Sequence, residues 1–149
     1  MVMRTLGTRE TAEDIEDLAL WVQNLDGCPK VTQTTLGRCA HPSHGDEPAT
    51  WFYVEADADN GVARLRCLSG GHVNDLLDSA DNWTFPHVWS CRSCSQSIAE
   101  IVFGIHDEDG TAKWLAVAAR CVDCGDVAGL TDMVIGDLPV DELLLALSA

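Results

Sequence analysis

The sequence predicts an α+β fold: two small β-hairpin units in tandem, with short helices flanking them at both termini. Six of the seven cysteines bracket two pairs of apolar runs of strand length, and the runs of each pair are joined by an acidic turn that ends in glycine. Helical periodicity is clearest at the two ends of the chain. The organisation expected is an N-terminal helical segment (1–30), a first hairpin unit (31–80), a second hairpin unit (81–136) and a C-terminal helix (137–149). A chain of 149 residues makes one ordinary domain or two very small ones. A unit below about 70–80 residues needs a metal or disulfides to supplement its core.

The first helix is expected over residues 11–26, where Ile15, Leu18, Val22 and Leu25 form an apolar stripe and Glu13, Asp14, Glu16 and Asp17 lie near the positive end of the helix dipole. Thr11 with Asp14 reads as its N-cap, and Gly27 with Pro29 stops it. Its stripe is expected to pack on the first hairpin, formed by residues 51–56 and 62–66 around a turn at 57–61. A short helix is expected at 74–80. Trp83, Phe85 and Trp89 then form an aromatic cluster between the units. The second hairpin runs up through 98–106, turns at Asp107-Glu-Asp-Gly110 and returns through 111–120, nine residues against ten. The C-terminal helix is read from Asp137 to Leu147 with Pro139 in its first turn, and Leu143, Leu144 and Leu147 as docking residues.

The cysteines are Cys28, Cys39, Cys67, Cys91, Cys94, Cys121 and Cys124, an odd number in a chain whose first residues lack the basic-then-apolar layout of an export signal. A disulfide framework fits this poorly, and metal ligation fits it well. Cys91-Arg-Ser-Cys94 and Cys121-Val-Asp-Cys124-Gly125 are CxxC pairs with 26 residues between them. The matched hairpin arms bring Cys121 back to the level of Cys94, so four thiolates converge on one ion with no position left open. Two such knuckles on a β-hairpin resemble the zinc-ribbon superfamily over about residues 89–127. The resemblance implies a fold and a structural Zn2+ site more firmly than an activity.

A second, altered copy of this plan lies upstream. Arg66-Cys67-Leu-Ser-Gly70-Gly71-His72-Val73 aligns with Arg120-Cys121-Val-Asp-Cys124-Gly125-Asp126-Val127, with Gly70 in place of the second thiolate and His72 two residues further on. Cys39, Cys67 and His72, with either His44 or the nearer His41, compose a Cys2His2 set, since a neutral imidazole replaces a thiolate readily at zinc. Residues 31–80 are thus read as a degenerate zinc-ribbon-like unit and 81–136 as a zinc ribbon, with two Zn2+ ions expected. Iron in a rubredoxin-like site is the alternative metal, although its usual Cys-Pro-x-Cys-Gly knuckle is absent. Cys28, His87 and His106 have no partner in sequence and read as ordinary core or surface residues.

Charge narrows the function. Nine Lys and Arg face twenty-four Asp and Glu, a formal charge of −15 that opposes phosphate-backbone binding. No apolar run reaches the roughly 20 residues a membrane helix needs. No hydrolase, phosphate-loop, dinucleotide or deaminase motif occurs, and a closed four-thiolate site has no place for substrate. The expectation is a cytoplasmic, non-enzymatic protein that binds a basic protein partner through an acidic surface, in a setting such as the transcription apparatus. The second reading is a transcript-cleavage-factor-like ribbon, because Asp107-Glu108 stands at the hairpin tip where that family carries an acidic pair. Here the family's neighbouring arginine is missing.

Overall fold

The computed structural model describes residues 3–6, 9–25, 29–57, 60–77, 79, 83 and 87–148. Gly27, Cys28 and Phe85, used above as a helix stop, a lone thiol and part of the linking cluster, lie outside them. The secondary structure is mostly antiparallel sheet with two short helices. In chain order the elements are β1 (Met3–Leu6), β2 (Arg9–Ala12), α1 (Ile15–Gln23), β3 (Gln33–Leu36), β4 (Phe52–Asp57), β5 (Val62–Cys67), β6 (Val73–Asp75), β7 (His87–Val88), β8 (Ala99–Glu108), β9 (Thr111–Cys121), β10 (Val127–Pro139) and α2 (Val140–Leu147). No helix among the described residues is long and apolar enough to cross a membrane.

Both hairpins form where the alternation placed them. In β8–β9 the connection is the two-residue turn Asp109-Gly110, with φ of 53° and 82°. A type I′ hairpin turn requires positive φ at both positions, and Asp-Gly supplies it at least cost. The two hairpins are halves of one sheet in the order β10-β9-β8-β4-β5-β6, with β3 also paired to β8 and β7 to β4. Phe52 is the joint, pairing with Cys67 on β5 and with Ala99 on β8. One core serves both: Phe52, Val54 and Leu65 from the upstream hairpin are buried in the same cluster as Ile101, Phe103, Ile105, Leu115 and Val117 from the downstream one. Trp89 packs against this cluster, and Trp83 lies half-buried with the Arg64 guanidinium 4.8 Å from its ring centre.

Four local expectations are corrected. Helix α1 begins at Ile15, not Thr11, because the Asp14 carboxylate accepts the Asp17 N–H at 2.9 Å and so caps it; Thr11 belongs to β2 and bridges to Asp126. Its apolar stripe packs on β8–β9, not on the upstream hairpin. Leu18 and Val22 are buried with Val31, Val102 and Ala118, and a Cβ on Gly104 would stand 2.7 Å from Val22 Cγ1. The absence of a side chain at 104 is what lets the helix approach. Residues 73–75 form strand β6 rather than the start of a helix, since pairing with Arg64–Arg66 carries the chain to the fully buried Leu76. Residues 127–139 form the long strand β10, paired with β9 through two register shifts. The C-terminal helix therefore starts at Val140, where Leu143 and Leu147 enter the core and Leu144 packs partly against it.

Candidate metal centres

At the open end of the β8–β9 hairpin the chain makes two knuckles with the same backbone. In one, the Ser95 N–H donates to Cys91 O at 2.9 Å and the Cys91 N–H to Gln96 O at 2.7 Å; in the other, the Gly125 N–H donates to Cys121 O at 2.9 Å and the Cys121 N–H to Asp126 O at 2.8 Å. The fifth residue of each has positive φ, 66° at Ser95 and 80° at Gly125. Ala99 pairs with Cys121, which sets the two knuckles face to face.

The four sulfurs of Cys91, Cys94, Cys121 and Cys124 all lie within 4.8 Å of one another. Contacts run crosswise: Cys91 Sγ to Cys124 Sγ and Cys94 Sγ to Cys121 Sγ are each 3.5 Å. Sulfurs bound tetrahedrally at about 2.3 Å from one ion are about 3.8 Å apart, so this donor set suits zinc. A disulfide would need sulfurs at about 2.05 Å, and all four are free thiols. The Ser93 N–H points at Cys91 Sγ from 3.4 Å, the kind of outer hydrogen bond that stabilises a thiolate ligand. Burial pushes the Cys121 thiol up to about 12, with neighbouring Cys94 and Cys124 adding to the rise against backbone N–H groups that lower it. A thiol in that state is protonated near neutrality, and binding a metal displaces the proton to solvent.

The N-terminal segment is tied to this centre. The Ala12 N–H donates to Gly125 O at 2.8 Å. Arg120 donates to Ala12 O at 2.8 Å, to Glu13 O at 2.7 Å and to the Glu100 carboxylate at 2.7 Å, an ion pair with both side chains largely buried.

A second group of ligand atoms lies upstream. Cys39, His44 and Cys67 offer three atoms within 4.8 Å of one another, with Cys67 Sγ 3.2 Å from His44 Nε2. Cys67 opens a third copy of the knuckle: the Gly71 N–H donates to Cys67 O and the Cys67 N–H to His72 O, each at 2.9 Å, and Gly71 has φ of 67°. The opposite arm is different. Cys39 and Ala49 exchange backbone hydrogen bonds around a loop whose single 3₁₀ turn, Pro42–His44, presents His44. Burial and the neighbouring Cys67 push the Cys39 thiol up, against a backbone hydrogen bond that lowers it.

Of the two histidines left open by the sequence, His44 joins the cysteines and His41 does not. His72 also stands outside the three-atom group. Its Nε2 is 3.0 Å from Ser43 Oγ, and its ring stacks on His41 at 3.6 Å with 13° between planes. Burial and the neighbouring His41 and His44 hold His72 below its ordinary value. Ser43, which links His41 and His72, has no marker in the sequence beyond its place between histidines.

One acid of the hairpin tip, Asp107, is engaged internally. The Asp107 carboxylate accepts from Thr32 Oγ1 at 2.5 Å and from Gln33 Nε2 at 3.2 Å, tying the β3 arm to the tip. His106 Nδ1 meets Lys30 O at 2.7 Å, and His87 is exposed on β7. Cys67 and Cys121 occupy one row across four strands, linked through Phe52 and Ala99. Three strand spacings place those residues about 14 Å apart at the same end of the sheet. Compared with known protein families, with curated proteins and with solved structures, the chain has no match.

Proposed function

We propose that the protein is a zinc-ribbon-like structural-zinc protein of the cytoplasm that acts by binding a basic protein partner through its acidic surface. The observation that carries the reading is the convergence of four free thiols with no ligand position left over: such a centre stabilises a fold and leaves function to surfaces. The formal charge of −15 supports a basic partner and a salt-sensitive encounter. A zinc in the four-thiolate site adds a further −2. A transcription-associated partner remains the setting this charge suits best. The transcript-cleavage alternative loses support because Asp107, one of its two acids, is engaged by Thr32 and Gln33.

Elemental analysis with native mass spectrometry tests the metal: two zinc ions per chain are expected, and one iron with a coloured protein would instead mark an electron carrier. The partner is tested by capture at low and high salt. Binding that survives high salt unchanged would refute an electrostatic interface.

A further inference from the structure

We propose that the upstream centre holds its zinc with three protein ligands, Cys39, His44 and Cys67, and keeps a fourth coordination position open to water and to small anions that exchange with it. This rests on the reading that the upstream group binds zinc at all. It differs from the closed downstream centre in having an imidazole, His44, in place of one thiolate and a glycine, Gly70, in place of another.

The three knuckles at Cys67, Cys91 and Cys121 share their backbone hydrogen bonds and their left-handed fifth residue. In the downstream pair the fourth residue is Cys94 or Cys124, and its sulfur completes the tetrahedron. In the upstream knuckle the fourth residue is Gly70, which has no ligand atom to offer. Gly70 and Gly71 are exposed, so solvent reaches this face of the knuckle.

The place of the missing side chain is flanked by an imidazole. A Cβ on residue 70 would stand 2.5 Å from His72 Nε2, so glycine is what admits the ring there. That nitrogen is engaged with Ser43 Oγ at 3.0 Å, and the ring is stacked on His41, whose Nδ1 is 2.9 Å from the same hydroxyl. Ser43 thus holds both imidazoles beside the ligand set. Three protein ligands with a free position, a polar mouth and a hydrogen-bonding imidazole next to it is the arrangement in which zinc keeps an exchangeable ligand. His72 is then a hydrogen-bond partner of that ligand.

Cobalt replacement of zinc in the whole protein tests this with azide as the probe. Two cobalt ions per chain are expected, with the visible bands of one of them shifting saturably on azide addition. Cys39→Ser should leave one cobalt and abolish the azide response. His72→Ala should keep two metals, and the double variant Gly70→Cys/His72→Ala should gain sulfur-to-cobalt charge-transfer absorption and lose the response to azide. Two cobalt ions with bands indifferent to azide, or loss of one metal in His72→Ala, would overturn the open position and make His72 the fourth ligand. A single cobalt per unmodified chain would instead refute the upstream centre itself.

Discussion

The fifth knuckle residue offers three substitutions with different, calculable outcomes at one backbone position. Ser95 has φ of 66°, Gly71 of 67° and Gly125 of 80°. An L-residue in this region costs about 1–2 kcal/mol, while glycine gives back about 0.4–1 kcal/mol through the freedom it adds to the unfolded chain. Ser95→Gly should therefore stabilise the protein by about 0.5–1 kcal/mol. Gly71→Ala reverses the sign at similar size, because nothing lies within 4 Å of the new Cβ. Gly125→Ala is worse. Its Cβ would stand 2.7 Å from Ala12 O, forcing apart the 2.8 Å bond from the Ala12 N–H to Gly125 O. Overpacking of about 1–3 kcal/mol and a weakened hydrogen bond of about 0.5–1.5 kcal/mol then add to the dihedral cost of about 0.5–1 kcal/mol, for a total of about 2–5 kcal/mol. Urea unfolding of the zinc-loaded variants measures this as a shift in midpoint at constant slope. A destabilised Ser95→Gly, or Gly71→Ala as costly as Gly125→Ala, would refute the reasoning.

Three further outcomes follow from the same geometry. Gly104→Ala places a methyl 2.7 Å from Val22 Cγ1 and should cost about 1–3 kcal/mol, largely recovered by adding Val22→Ala; additive losses in the double-mutant cycle would show that helix α1 does not sit on that glycine. Hydrogen bonds from Thr32 and Gln33 hold the Asp107 carboxyl below its ordinary 3.8, so its contribution is complete above that pH and is lost as pH falls through the lower folded value; Asp107→Asn should flatten this acid limb of the stability curve, and an unchanged limb would refute it. Zinc uptake by the metal-free protein should release protons and weaken as pH falls, because the Cys121 thiol, pushed up to about 12, is protonated near neutrality; calorimetry in buffers of different ionisation enthalpy measures the release, and none at all would contradict thiolate ligation.

What the sequence made legible was local and periodic. Alternation around Asp109-Gly110 specified the β8–β9 hairpin, and spacing alone brought Cys91, Cys94, Cys121 and Cys124 to one place. Alignment of Gly70 with Cys124 anticipated a shared turn, and the backbone hydrogen bonds are the same in both. What stayed hidden depended on partners distant in sequence. Strand β10 carries Gly129 and Gly136 and is held by pairing with β9 and by close backbone approach at Gly61, whose Cβ would meet Asp132 O at 2.7 Å. The docking face of α1 was hidden for a related reason: it is marked by a missing side chain at Gly104 and small ones at Ala118 and Ala12. The uninterrupted run Ile101-Val-Phe-Gly-Ile105 signals burial on both faces, yet alternation assigns only one of them. His72 was placed by chain proximity to Cys67, and its orientation toward Ser43 depends on a loop 29 residues away.

The internal repeat and the single sheet are two aspects of one construction. Each hairpin ends in a cysteine, and the pairing of Phe52 with both Cys67 and Ala99 puts those cysteines in one row at the same end of the sheet. The far end of the downstream hairpin needs no metal: the Asp109-Gly110 turn closes it and the Val140 N–H donates to Gly110 O at 3.0 Å, seating α2 over the core. The near end has strands diverging into loops, with Cys39, Cys91 and the N-terminal segment all arriving from elsewhere in the chain. Hydrophobic burial fixes those arrivals only in part: Cys39 and Ala12 are buried, but exposed Arg92, Ser93, Gly70 and Ser43 line that end. Metal centres placed there would supply the order that the core supplies at the other end, and the acidic surface would remain free to meet a partner.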